Sequence, residues 1–149
     1  MTFWEVVKNA WNGLDNPFTG TAKPHDQVTM PHQTYDFEGM KKLVAQKDPN
    51  VLIVDVREPS EYSIVSIPGS INVPYRSHPD GFTLGDAEFE KQFNVPKPSQ
   101  DKELVFMCAS GMRAGKAREV AASHGYSDTS IYPGSMNDWV SNGGDKLKF

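Results

Sequence analysis

The chain has a single cysteine, Cys108, among its 149 residues. One cysteine excludes an intramolecular disulfide and any zinc cluster built on several thiolates, and it points to a reducing compartment. Histidine is sparse as well. His25, His32, His78 and His124 are scattered without HxxxH or HExxH spacing, so no metal site is expected. Positive charge is in deficit: 15 Lys and Arg against 19 Asp and Glu leave a formal net charge of -4. That balance excludes a general attraction to nucleic acid or anionic lipid. No apolar run nears the roughly 20 residues that a membrane helix needs. The glycines form neither GxGxxG nor GxxxxGK[ST], so no nucleotide or flavin cofactor is expected. Internal repeats and low-complexity tracts are also missing.

What is present reads as one α/β domain preceded by two short segments. Residues 1–13, MTFWEVVKNAWNG, place Phe3, Trp4, Val7, Ala10 and Trp11 near one face of an amphipathic helix. This helix is expected to dock on the protein's own surface; the alternative is a weak membrane or protein contact through its aromatic face. Residues 14–32 are rich in turn formers and read as a linker. From residue 33 to 149 short apolar runs alternate with helical patterns. VLIVDV (51–56) and ELVFMC (103–108) are continuously apolar and β-branched or aromatic, as strands covered on both faces are. Thr34-Tyr35, Ser70–Val73 and Ser130–Tyr132 complete a predicted parallel sheet of about five strands. Predicted helices lie after Asp36, over Glu58–Ile64, Asp86–Phe93, Arg113–His124 with Gly125 as its cap, and Ser135–Ser141.

Ligands of open parallel sheets bind at the carboxyl ends of the strands. Cys108 stands there, last in its apolar run and first in the loop CASGMR, immediately before a helix. Ala109, Ser110 and Gly111 allow a tight curl whose peptide N–H groups converge into an anion-binding nest. The helix adds the positive end of its dipole, and Arg113 adds a guanidinium. Such surroundings favour the thiolate form of a cysteine, so Cys108 is expected to be a nucleophile rather than a buried apolar residue.

Three segments in order resemble the rhodanese (thiosulfate sulfurtransferase) family, most of all its single-domain fungal members. CASGMR between strand and helix is similar to the family's active-site loop. DVREPSEYSIVSIPGSINVP (55–74) resembles its D-x-R-x-x-x-E-Y and H-I-P-G-A-I-N signatures, and YPGSMNDW (132–139) its C-terminal Y-x-G-G-x-x-x-W. The resemblance implies a rhodanese-like fold with helices on both sheet faces and a sulfurtransferase working through a Cys108 persulfide. Its partners would be a small anionic sulfur donor, thiosulfate or a persulfide, and a thiol such as glutathione or cyanide as acceptor. It further implies a substrate-binding loop of Ala109, Ser110, Gly111, Met112 and Arg113, supported by Asp55 and Arg57. Arg76, after the second buried strand, is a further candidate from its position alone, near enough in sequence to approach the mouth, with a solvated loop charge as the alternative. The absence of a second cysteine agrees, because the sulfur must then leave to an external acceptor.

Two positions depart from the family pattern. Val65-Ser66 replace its usual Gly-His, which implies altered local bonding. Ala109 stands where many relatives carry a basic residue, which leaves donor charge to Arg113. Two alternatives are weaker. Phosphatases and arsenate reductases with a Cys nucleophile use a C-x5-R loop, whereas four residues separate Cys108 from Arg113. Rhodanese-like binding modules typically lose the cysteine retained here, and a redox-sensing role is compatible with transfer. The cytoplasm is the expected location, with association with mitochondria as the alternative.

Overall fold

The computed structural model describes residues 30–149, so the expected helix at 1–13 and most of the linker lie outside the described residues. The elements, in chain order, are α1 (Phe37–Gln46), β1 (Val51–Asp55), α2 (Pro59–Tyr62), β2 (Ile71–Asn72), α3 (Asp86–Phe93), β3 (Glu103–Met107), α4 (Met112–Ala122), β4 (Thr129–Ile131) and α5 (Ser135–Ser141). Short 3-10 turns at Gly81–Thr83 and Gly144–Lys146 complete them. All pairings are parallel, in the order β2-β1-β3-β4. This is four strands rather than the expected five. Thr34 forms a single parallel bridge to Ile131 and does not extend into a strand. The segment still lies along β4, where the His32 and Tyr35 N–H groups donate to the Thr129 and Ile131 carbonyls and Tyr35 packs against the core, but α1 begins at Phe37 and cuts it short.

The two central strands are apolar because both faces are covered. Val54, Leu104 and Phe106 pack with Phe82, Phe89, Ala114, Ala117, Ala121 and Tyr126 on one face. Ile53, Val105 and Met107 pack with Met40, Val44, Met136 and Trp139 on the other. Successive side chains of a strand point to opposite faces, so β3 supplies both cores in alternation. Helix starts follow local chemistry. Asp36 caps α1 by accepting the Gly39 N–H at 2.8 Å. Ala114, Ala117 and Ala121 line the buried side of α4, where small side chains let it lie close to the sheet. That helix ends at Ala122, and Gly125 lies beyond its end with a φ of +98°.

The chain leaves β1 toward β2 on one side, then crosses to β3 on the other. The strand order therefore reverses between β1 and β3, and this is where an open α/β sheet parts to form a crevice. Asp55 ends β1 and Cys108 follows β3, and the Val56 N–H donates to the Met107 carbonyl at 2.9 Å between them.

Candidate active site

Cys108 leaves the carboxyl end of β3 and is only 1 % exposed as a residue. Its backbone is held from behind by the start of α5. The Cys108 N–H donates to Ser135 Oγ at 3.0 Å, and Ser135 Oγ donates to the Tyr132 carbonyl at 2.9 Å. The Cys108 and Ala109 carbonyls accept the N–H groups of Met136 (2.9 Å) and Asn137 (3.0 Å). Ser135 takes a φ of +58° at this junction.

Gly111 makes the loop's turn with a φ of +99°, and its N–H donates to Cys108 Sγ at 3.0 Å. No other residue fits. The φ lies in the left-handed region, and an added Cβ would stand 2.6 Å from the Pro133 carbonyl oxygen. Gly111 is also the N-cap of α4, so the first turn of an 11-residue helix begins beside the sulfur. The positive end of the helix and an aimed N–H thus meet at the sulfur.

Arg113 does not extend into the loop's mouth as a free cation. Its Nη1 and Nη2 donate to Glu61 Oε1 and Oε2 at 2.8 and 3.2 Å, a two-pronged ion pair. Arg113 is 13 % exposed and Glu61 37 %. The guanidinium holds the Glu61 carboxyl at about 2, well below the ordinary carboxylate range. Glu61 lies in α2, and its partner stands 52 residues away. The upstream E-Y signature contains Glu61, but nothing local in the sequence announces this pairing.

Asp55 and Arg57 form a buried pair behind α2. The Arg57 Nε donates to Asp55 Oδ1 at 3.1 Å and its Nη2 to Oδ2 at 2.8 Å. Burial pushes the Asp55 carboxyl up, against the opposing pull of Arg57. The same guanidinium reaches the Val65 carbonyl at 2.6 Å and the Glu61 carbonyl at 3.4 Å. Arg57 thus ties the end of β1 to the segment that presents Glu61, and Asn72 Nδ2 donates to the Asp55 and Arg57 carbonyls at 3.0 and 2.7 Å. At the departure from the family pattern, Val65 contributes its carbonyl to Arg57 and its side chain to the core. Ala109 is half-buried, and Ser110 and Met112 are exposed. Arg76 is exposed beyond β2 with no hydrogen bond or ion pair to a described residue. Ser135, Asn72 and Glu61 are the polar residues that sequence reasoning left out of the site.

A family profile describing a rhodanese-like domain matches residues 38–142. The chain belongs to the rhodanese family. A thiosulfate:glutathione sulfurtransferase of Saccharomyces cerevisiae is 61 % identical over 144 residues, covering 97 % of this chain and 98 % of that protein. The mitochondrial thiosulfate sulfurtransferase RDL2 of the same yeast is 43 % identical, with 81 % of each chain covered. The crystal structure of RDL2, described as a single-domain sulfurtransferase, superposes with a TM-score of 0.77 at 42 % identity, covering 83 % of this chain and 99 % of that one. The four-stranded parallel sheet with helices is therefore a rhodanese fold. Among the described residues no helix is long and apolar enough to cross a membrane.

Proposed function

We propose that this rhodanese domain is a sulfurtransferase that moves the outer sulfur of thiosulfate, or of a persulfide, to a thiol or to cyanide through Cys108. The observation that carries the reading is the Gly111 N–H aimed at Cys108 Sγ from a loop too tight for a bulky group. The Cys108 thiolate attacks the outer sulfur of the donor. The donor's S–S bond breaks, sulfite leaves with the electron pair, and Cys108 becomes a persulfide. An acceptor thiolate, its proton lost to solvent, then attacks the terminal sulfur and Cys108 departs as thiolate. No oxidant or cofactor is consumed, because each S–S bond that breaks is matched by one new bond to the transferred sulfur: S–S with a thiol acceptor, S–C with cyanide.

The loop residues Ala109 to Arg113 supply peptide N–H groups around the terminal sulfur, which carries the negative charge of the persulfide. With Cys108 this buried, an end-on sulfur atom suits the cradle better than a tetrahedral oxyanion. Asp55 and Arg57 are positioning residues acting through the Glu61 segment, and Arg76 is an exposed charge beyond β2. Glutathione suits the acceptor role as a small external thiol, and the two yeast relatives' names supply thiosulfate as donor. A reducing cytoplasmic setting belongs to the same reading, because a lone reactive thiol stays available there.

The test is intact-mass analysis after brief thiosulfate treatment and desalting. The expected result is a gain of one sulfur atom, absent in Cys108→Ser and removed by cyanide or glutathione. No gain with thiosulfate or with glutathione persulfide, in folded and reduced protein, overturns the reading.

A further inference from the structure

A loop ending in arginine suggests a cation waiting for an anionic donor, yet the charges around Arg113 do not leave it free. Both terminal nitrogens face the Glu61 carboxylate. Glu61 is itself fixed, since its Oε1 also accepts the Glu58 N–H at 3.0 Å and its carbonyl accepts from Arg57. A second carboxylate, Glu58, lies within electrostatic range of Arg113, as does Cys108. Glu58 Oε2 is buried and accepts no hydrogen bond from a described residue. The remaining loop residues, Ala109, Ser110, Gly111 and Met112, carry no charge. Arg57 also acts on Glu61 but is paired with Asp55, so two guanidiniums against three carboxylates leave this side of the mouth with a net negative charge.

The positive potential at Cys108 then comes from peptide N–H groups and the start of α4, which act within the first turn. Such a focus suits one negative charge, on the sulfur being transferred. A second negative charge, carried further out on the donor, meets a masked arginine.

We propose that Glu61, with Glu58 behind it, is a specificity-determining residue that masks Arg113 and so discriminates against the second charge of a dianionic sulfur donor. The donor class favoured by this site is monoanionic: sulfane sulfur on an organic group, as in a thiosulfonate or a simple alkyl persulfide. Thiosulfate is accepted against this charge preference. The inference rests on the sulfurtransferase reading and adds to it the charge class of the donor.

The experiment compares thiosulfate with methanethiosulfonate as donors to the full chain, with cyanide as acceptor. These donors present the same outer sulfur and differ by one charge. The quantity read is the ratio of their kcat/KM values, thiosulfate over methanethiosulfonate; leaving-group differences cancel between variant and wild type. Glu61→Gln is expected to raise this ratio about five-fold at low salt, the weight of one charge interaction of about 1 kcal/mol. The gain shrinks as salt is added. Glu58→Gln keeps the Arg113–Glu61 pair and is expected to raise the ratio in the same direction by less. It guards against a Glu61 variant whose loop collapses. An unchanged or lowered ratio in both variants overturns the inference, as does a Glu61→Gln enzyme that loses both donors in equal proportion while Glu58→Gln leaves the ratio unmoved. Wild-type protein that takes sulfur from neither donor removes the sulfurtransferase reading itself, a separate outcome.

Discussion

Replacing Gly111 by alanine concentrates two penalties on one methyl group. At a φ of +99° an L-residue is strained, and the new Cβ would press on the Pro133 carbonyl oxygen at 2.6 Å. The conformational part alone costs about 1–3 kcal/mol. The oxygen belongs to a backbone whose neighbours hold Cys108 from behind, so it cannot yield without moving the cysteine. The loop relieves the clash by turning Gly111 away, which withdraws its N–H from Sγ, now 3.0 Å distant. A hydrogen bond to a charged group is worth about 1.5–3 kcal/mol. A loss near the middle of that range slows persulfide formation about thirty-fold. The assay is single-turnover transfer from thiosulfate, followed by rapid quench and intact mass, beside thermal unfolding of the same samples. Gly111→Ala is expected to lower both the rate and the melting temperature. A variant that melts like wild type and forms persulfide at an undiminished rate refutes the assignment of this N–H to the sulfur.

Two other perturbations address the support behind the loop. Asp55→Asn leaves the Arg57 guanidinium, only 4 % exposed, without its counter-charge; urea denaturation is expected to show a loss of about 3–5 kcal/mol. A change below about 1 kcal/mol would show that the Val65 and Glu61 carbonyls suffice to hold Arg57. Glu61 gives a pH signature, because Arg113 lowers its carboxyl from 4.5 to about 2. Its folded-state value is the depressed one, so the unfolded chain binds more protons between those limits. The stabilising contribution is complete above about pH 4.5 and is lost as pH falls through about 2. The stability difference between wild type and Glu61→Gln should be flat above pH 4.5 and shrink as pH falls from there to about 2; a difference that stays constant down to pH 2 contradicts the pairing.

Much of this fold was legible because its signals are local. The runs at 51–56 and 103–108 are apolar for a reason that stays within each strand, burial on both faces. Helices α3 and α5 begin and end at the expected residues, and Gly111 stands where the turn into α4 needs a left-handed residue. The expected fifth strand failed because pairing depends on a neighbour rather than on propensity. Residues 32–35 run beside β4, with the Tyr35 N–H on the Ile131 carbonyl and the Ile131 N–H on the Gln33 carbonyl, but only Thr34 completes a bridge. The same limit hid the electrostatics of the site. Arg113 read as a free cation because its partner is 52 residues upstream, and Ser135 read as a helix residue though it serves Cys108 from 27 residues downstream. Pairings at such separation leave no periodicity or spacing behind them.

The anchoring of Cys108 from behind has a consequence for synthesis. The nucleophile is encoded well before the residues that hold its backbone, Ser135, Met136 and Asn137, and before Pro133, against which Gly111 packs. A nascent chain still lacking that stretch has its cysteine but not the turn that arms it. The loop around Cys108 can therefore close only after the stretch from Pro133 to Asn137 has left the ribosomal tunnel, so an interrupted translation product lacks the turn and its backbone support.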